Sequence, residues 1–206
     1  VPQLRPEQIP LSFAQERMWF LHRLDPTSRA YHLPLVRQLE GELSLPALES
    51  ALQAVLERQA SLRTRFVEQD GAVQQVVEPP GSWRLPVVDL SSVSSGAGEA
   101  GWASLRSLLW ASFDLAASPP SRLVVVRWSR QRHVLAWVMH HILADGWSLE
   151  VLERELAMAY AAALREEPVS VALPPLRMSY GDFSVWQREW LGGAELERQL
   201  AYWRES

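Results

Sequence analysis

The residue types best suited to chemistry lie together in one short segment, His140–Gly146, whose sequence is HHILADG. A free imidazole has a pKa of about 6.5, so a histidine in this segment could act as a base near neutral pH. Successive residues of a strand face opposite sides, so we expect at least one of the two histidines to point inward. The segment predicts a functional site, with a purely structural role as the alternative.

Two other chemistries use the same residue types but fit the spacing less well. A metal site would need a third ligand, and the remaining histidines lie in other predicted elements without metal-ligand spacing: His22, His32 and His133. We therefore predict no metal. A triad of His141, Asp145 and Ser148 would need a strained strand-to-helix turn at the serine, and we interpret Ser148 instead as the cap of the following helix.

The elements on either side of this segment would hold it rigidly. Val-rich runs at 123–128 and 133–139 predict two strands of a hairpin, and the second runs directly into His140. After Gly146 an apolar face with helical spacing predicts a helix: Leu149, Leu152, Leu156, Tyr160 and Ala163. A strand-to-helix junction positions side chains at the rim of a sheet, where a site is commonly built.

The remaining elements alternate irregularly along the chain. Ser12 and Gln15 form a capping box that begins a helix, and Ser44 caps a second helix. The Ser/Gly/Ala-rich segment Ser91–Gly101 is predicted to be a loop. Further strands are predicted at 33–39, 64–68 and 73–77, and further helices from 102, at 180–190 and at 196–203. This order predicts an α/β fold, a mixed-sheet α/β sandwich rather than a doubly wound one.

Composition excludes several classes of function. All 20 basic residues are arginine, which excludes lysine Schiff-base chemistry, and cysteine is absent, which excludes thiol catalysis. The net charge is −4, so no nucleic-acid partner is predicted. No apolar run approaches the roughly 18 residues of a membrane span, so no membrane partner is predicted. The chain begins at Val1 without a signal sequence, so we expect a piece of a longer, cytoplasmic protein.

Four segments together resemble condensation domains of nonribosomal peptide synthetases. Met139–Ser148 resembles the active-site motif of that family, and Leu11–Leu21 resembles its opening motif. Leu62–Phe66 resembles the second motif, and Tyr180–Arg188 resembles the motif near the middle of the full domain. The four occur in the order of the family. One departure precedes the second motif, where the family usually has a histidine and a glutamate and this chain has Gln59, Ala60 and Ser61.

The resemblance implies a fold and a domain organisation. It implies one lobe of a chloramphenicol acetyltransferase-like fold, with residues 1–175 as the N-terminal lobe of a condensation domain. Residues 176–206 would be a crossover segment that leads to an absent C-terminal lobe. Because the active site of such domains lies between two lobes, we expect this chain alone to be inactive and to expose apolar surface.

The resemblance also implies a reaction and its partners. The amine of a carrier-bound aminoacyl group would attack a carrier-bound acyl or peptidyl thioester. Upstream and downstream peptidyl carrier domains would deliver both substrates on phosphopantetheine arms, beside an adjacent adenylation domain. The lobe itself would bind no cofactor. His141, the second histidine, would face the reaction centre, orient the amine and accept a proton during or after attack.

Supporting roles follow from the same resemblance. His140 would be structural, and Asp145 would pair with Arg63, whose guanidinium offers a bidentate fork, rather than orient His141. Gly146 would let the backbone approach the substrate closely, with a simple turn residue as the alternative. The N–H groups of Gly146 and Trp147 precede a helix and could face a developing oxyanion or position the substrate.

Three functions remain to be compared. The first is the condensation lobe, of the subtype that joins an L-configured donor to an L-configured acceptor. The second is a free-standing acyltransferase that uses coenzyme A, although in trimeric enzymes of that kind the histidine motif lies near the C-terminus. The third is a non-catalytic lobe that docks carrier domains.

Overall fold

Strands and helices alternate irregularly in the computed structural model, which describes residues 8–81, 83–93 and 95–205. The strands are β1 (Ile9–Pro10), β2 (His32–Glu40), β3 (Thr64–Gln69), β4 (Ala72–Val77), β5 (Val87–Asp89), β6 (Ser121–Ser129) and β7 (Arg132–His140). The helices are α1 (Phe13–Leu24), α2 (Leu45–Arg58), α3 (Ser95–Leu109), α4 (Gly146–Leu164), α5 (Val169–Ala172), α6 (Tyr180–Trp190) and α7 (Gly193–Glu205), with a 3-10 turn at Ala60–Arg63. The predicted mixed α/β fold is confirmed.

The larger sheet carries the histidine segment. Its order is β2-β7-β6-β5, in which β5 and β6 are parallel and the other pairs are antiparallel. The hairpin of β6 and β7 is confirmed, with Ser121 opposite Met139. Residues from Leu135 to His140 are all buried, and β7 is an inner strand that pairs with β2 on one side and β6 on the other. The strand that ends at the histidines is therefore fixed on both sides.

The smaller sheet has the order β1-β4-β3, all antiparallel. Its hairpin turns at Asp70 and Gly71, whose φ angles are 52° and 77°. Two successive residues with positive φ are typical of the tight turn that matches the twist of a hairpin, and Asp-Gly is a preferred sequence for it. The predicted turn is confirmed.

Two long helices pack side by side and close the core. α2 contacts α4, and both contribute to one hydrophobic cluster with the larger sheet. Leu52 and Val55 of α2 are fully buried, as is Trp137 of β7. The predicted apolar face of α4 is buried at Leu152 and Leu156. Helical spacing of apolar residues therefore located the inner face of α4.

The predicted loop at Ser91–Gly101 is wrong over most of its length. Residue 94 lies outside the described residues, but α3 begins at Ser95. A Cβ at Gly98 would lie 3.3 Å from Cζ3 of Trp128 on β6. Glycine composition suggested a loop, whereas here glycine permits close packing of a helix on an indole ring.

The segment after residue 175 packs through α6 on β1 of the smaller sheet and on the start of α1. The side chain of Gln187 accepts a hydrogen bond from the Phe13 N–H at 3.0 Å, and Arg188 donates to the carbonyl of Leu11 at 2.8 Å. Helix α6 has the predicted bounds and begins with a capping box at Ser179. Among the described helices, none has the length and apolar character needed to cross a membrane.

Candidate functional site

The two histidines lie where β7 passes into a tight turn. The His141 N–H donates to the carbonyl of Tyr31 at 2.8 Å, and the Leu143 N–H donates back to the carbonyl of His140 at 3.0 Å. Helix α4 begins shortly after, at Gly146. Backbone hydrogen bonds on both sides of His141 therefore fix its position relative to the sheet.

His140 points into the protein. Its side chain is only 3% exposed, and its ring lies 5.8 Å from that of His22 and 6.4 Å from those of His32 and Phe113, centroid to centroid. Its Nδ1 accepts a hydrogen bond from the Ile142 N–H at 3.1 Å. Burial, reinforced by repulsion from neighbouring histidines, lowers the pKa of His140 to about 3. This neutral ring supports the turn.

His141 faces the opposite way and is exposed, so the predicted inward orientation of one histidine is confirmed. Its side chain lines a cavity of about 720 Å³ together with Asp145 and Trp147. The opposite walls come from α1, the 3-10 turn and the start of α6, including Gln15, Leu62 and Tyr180. The other three motif segments recognised in the sequence thus meet the histidine motif at one cavity.

Asp145 caps α4. Its Oδ1 accepts hydrogen bonds from the Ser148 N–H at 2.8 Å and the Ser148 hydroxyl at 2.6 Å. The hydroxyl bond is the main cause that lowers the pKa of Asp145, and the N–H bond adds to it. The prediction that Ser148 caps the helix is therefore wrong, because the capping residue is Asp145 and Ser148 is its partner.

The predicted ion pair between Arg63 and Asp145 is also wrong. Arg63 instead donates to three backbone carbonyls, those of Leu56 at 2.8 Å, Glu57 at 3.3 Å and Glu78. These carbonyls belong to the last turn of α2 and to the residue after β4. A guanidinium presents five donors in a plane, so one arginine can join three separate carbonyls. Arg63 therefore ties a helix end to the smaller sheet.

Gly146 and Trp147 begin α4 at the edge of the cavity. A Cβ on Gly146 would meet no atom within 4 Å, and its φ is not positive. The N–H groups of both residues donate to no group of the described chain, as is usual for the first turn of a helix. The Trp147 side chain is 73% exposed. Their predicted roles toward a substrate stay predictions.

A buried carboxylate that the sequence analysis missed lies behind the cavity. Glu155 of α4 is 7% exposed and accepts hydrogen bonds from Gln59 Nε2 at 2.9 Å and from Arg58 Nε at 3.2 Å. The Gln59 side chain therefore supplies an N–H donor to this carboxylate within the segment that departs from the family pattern. The spacing of Glu155 from Leu152 and Leu156 placed it on the buried face and could have revealed it.

A buried amide network connects the turn to the opening motif. Gln15 Nε2 donates to the carbonyl of Ile142 at 3.3 Å and to Gln75 Oε1 at 3.2 Å. Gln75 Nε2 in turn donates to the hydroxyl of Ser184 on α6 at 3.0 Å. Buried polar side chains of this kind specify one arrangement because each lost partner is costly. The network holds α1, β4 and α6 around the histidine turn.

The described residues contain no cluster of three or more histidine, aspartate or glutamate side chains that could hold a metal ion. His32 and His140 lie near each other, yet the Nδ1 of His140 is already occupied by the Ile142 N–H. The arrangement around His141 can instead do what a single exposed imidazole does at a cavity wall, which is to accept or donate a proton.

Comparison with known proteins identifies the family. The profile described as "Condensation domain" matches residues 6–206. A linear gramicidin synthase of Brevibacillus parabrevis is 43% identical over 205 residues, which cover 99% of this chain and 3% of the relative. Enniatin synthase of Fusarium equiseti is 39% identical over 194 residues, or 94% of this chain and 6% of the relative. The chain thus spans a small part of these proteins.

Solved structures share the fold. The X-domain from teicoplanin biosynthesis superposes with a TM-score of 0.84 at 31% identity, over 98% of this chain and 44% of that chain. The starter condensation domain of rhizomide synthetase RzmA gives a TM-score of 0.83 at 22% identity, over 97% and 48% respectively. The chain therefore spans about half of each of these domains.

Proposed function

The chain belongs to the condensation-domain family, and from that premise we propose that it forms the N-terminal lobe of a peptide-bond-forming domain. The observation that carries the proposal is the exposed His141 on a cavity wall, held by a turn whose other histidine is buried. In the proposed reaction an amine on one carrier-bound phosphopantetheine arm attacks the thioester carbonyl on another. A C–N bond forms, the C–S bond breaks, and the sulfur leaves as a thiol after protonation.

His141 orients the amine and takes its proton. A free α-amine has a pKa of about 8, so a useful fraction is already nucleophilic near neutral pH. The nitrogen becomes far more acidic once it has attacked, and an imidazole at the cavity wall can then accept the proton. The hydrogen bond from the backbone N–H of His141 to the carbonyl of Tyr31 supports this role because it fixes the main chain that carries the imidazole.

The start of α4 stabilises the oxyanion in this proposal. The N–H groups of Gly146 and Trp147 are unpaired within the described chain and lie at the positive end of a helix dipole. The open space around the Gly146 Cα leaves room for a substrate carbonyl to approach. A side chain at position 146 would occupy that space.

The proposal includes a second lobe and further partners. We propose that residues 176–206 lead toward a C-terminal lobe, which the exposed side chains of α7 support: Leu196, Leu200, Tyr202 and Trp203. Upstream and downstream peptidyl carrier domains present the substrates, an adenylation domain lies adjacent, and the location is cytoplasmic. The resemblance of the opening motif supports the subtype that joins L-configured donors to L-configured acceptors.

The test is single-turnover condensation with loaded carrier domains, using the domain completed by a C-terminal lobe. We expect His141→Ala to lower the rate about 10²–10⁴-fold, the usual contribution of a general base. Arg154→Gln, on the exposed face of α4, is the matched control and should retain the wild-type rate. A wild-type rate in His141→Ala would refute the catalytic role. We expect the 206-residue chain alone to show negligible turnover.

One observation favours a second candidate function, a non-catalytic docking lobe. The X-domain from teicoplanin biosynthesis, which is 30% identical and similar with a TM-score of 0.83, is known in complex with OxyB. For a docking lobe, His141→Ala would leave both partner binding and the output of the assembly unchanged. A coenzyme A-dependent acyltransferase is less well supported, because the condensation-domain match covers residues 6–206.

A further inference from the structure

The cavity beside His141 carries one cationic side chain, Arg17, that has no direct ion-pair partner among the described residues. Arg17 and Asp145 are the cationic and anionic side chains of its lining, to which His141 adds an imidazole. The Asp145 carboxylate is held by Ser148. Arg17 is exposed and has no hydrogen-bond or ion-pair partner among the residues that the structure describes.

The acidic residue next to Arg17 is engaged elsewhere. Glu16 precedes Arg17 on α1, and its carboxylate accepts from Arg188 of α6 at 2.8 Å. In the last turn of the same helix, Arg23 pairs with Glu68. Glu16 and Glu68 are thus engaged with other arginines, and Arg17 lines the cavity without a direct ion-pair partner among the described residues.

The rest of the cavity is mainly apolar. Its wall includes the side chains Met18, Leu143, Val151, Leu152, Leu176 and Phe183. A cavity with apolar walls and a single unpaired cation suits a ligand that has a weakly polar stem and one anionic group. An arginine fits a phosphate particularly well because its planar fork donates two parallel hydrogen bonds.

We infer that Arg17 binds the phosphate of the phosphopantetheine arm that enters this cavity, and so positions the thioester end of the arm beside His141. This inference rests on the proposed function, since that function brings such an arm to the cavity. The arm has the required chemistry: a phosphodiester at one end, a flexible stem and a thiol that carries the acyl group. Arg17 is a positioning residue in this scheme, because it acts on the arm and not on the reacting atoms.

The same phosphate chemistry has two sources, an arm attached to a carrier domain and free coenzyme A. We assign the carrier-borne arm, because the chain belongs to the condensation-domain family and its relatives include large synthases. Phosphopantetheine and pantetheine, which differ only by the phosphate, are the probes for the contact itself. A holo-carrier domain and coenzyme A are the probes for its source.

The experiment measures binding of these four probes to the 206-residue chain and to its variants by calorimetry. We expect phosphopantetheine to bind about three- to fivefold more tightly than pantetheine at low salt, as an exposed charge-assisted contact allows. Arg17→Gln should abolish that preference, and Arg17→Lys should retain part of it. Arg154→Gln removes one exposed positive charge of α4 that does not line the cavity, and it should retain the full preference.

The outcomes separate the inference from the proposed function. Equal binding of the two small probes, or a preference that survives in Arg17→Gln, overturns the role of Arg17 while leaving the cavity as a site for the arm. If neither small probe binds, both the inference and the arm-binding cavity fail. A dependence on Arg17 that appears with coenzyme A but not with the holo-carrier overturns the assignment to a carrier-borne arm. A loss of holo-carrier affinity in Arg17→Gln alone supports it.

Discussion

The two sides of the histidine turn carry the same side chain in opposite settings. Behind the turn, His140 packs against His22, His32 and Phe113 and is only 3% exposed. In front of it, His141 is exposed on the wall of the cavity. One chain position separates a ring that stabilises the fold from a ring that is free for chemistry.

The difference follows from strand geometry and from the sheet around it. His140 is the last residue of β7 and its ring points into the core, whereas His141 is the first residue beyond the strand, where the chain leaves the sheet and the side chain is exposed. Stability and activity should therefore respond separately to changes on the two sides of the turn. Substitutions on each side test that separation, and the largest effect on stability is expected behind the turn.

The buried side of the turn, which carries His140, should contribute more to stability than the exposed side, which carries His141. We expect His140→Ala to lower the free energy of unfolding by about 2–4 kcal/mol, because it leaves a cavity among packed rings and an unpaired Ile142 N–H. His141→Ala should change it by less than about 0.5 kcal/mol, as exposed substitutions usually do. Urea denaturation of both variants gives the comparison. Equal losses would mean that the two sides are not distinct.

The rear side should also determine acid sensitivity. The pKa of His140 is about 3 in the folded protein, against 6.5 for the unperturbed group, so the unfolded chain binds a proton that the folded one rejects. Stability is therefore full above pH 6.5 and falls as the pH drops toward 3, by about 1.4 kcal/mol per pH unit once the unfolded imidazole is protonated. Burial lowers the pKa of His22 and His32 in the same direction.

Measurements of the free energy of unfolding between pH 6.5 and 5 report the contribution of the histidines alone, because carboxylates remain ionised in that range. The slope of the free energy of unfolding against pH should decrease in His140→Gln and stay unchanged in His141→Ala. An unchanged slope in His140→Gln would show that the folded protein accommodates a proton on that ring.

On the exposed side of the turn, the helix cap formed by Asp145 should make a smaller contribution to the free energy of unfolding. We expect Asp145→Ala to reduce the free energy of unfolding by about 1 kcal/mol, the usual cost of a lost N-cap. Asp145→Asn should lose less, because an amide oxygen can still accept from the Ser148 N–H. Chemical denaturation of the two variants distinguishes a cap from a charge pair, since a charge pair would suffer equally from both substitutions.

The smallest expected effect is the coupling between Arg63 and Asp145. These residues contact different groups, three backbone carbonyls in one case and Ser148 in the other. A double-mutant cycle with alanine at both positions should therefore give a coupling free energy within about 0.5 kcal/mol of zero. A coupling of several kcal/mol would restore the ion pair that the resemblance implied.

The sequence by itself determined the local elements and indicated that at least one of the two histidines points inward. Ser12 with Gln15 specified the start of α1, and the Asp70-Gly71 turn specified a hairpin. Helix α6 has the predicted bounds, Tyr180–Trp190. These features depend on residues within a few positions of one another, where hydrogen bonds and side-chain periodicity leave few alternatives.

Only the tertiary structure decided which partners the polar side chains take. The Gln59 amide contacts Glu155, 96 positions away, and Gln15 contacts the carbonyl of Ile142, 127 positions away. Gly98 lies in a helix that packs against the indole of Trp128 on β6. Local pattern carries no information about such distant contacts, since they exist only after the sheets and helices have packed. For the same reason, the sequence marked His141 as the residue for chemistry, but only the packed cavity revealed an unpaired Arg17 beside it.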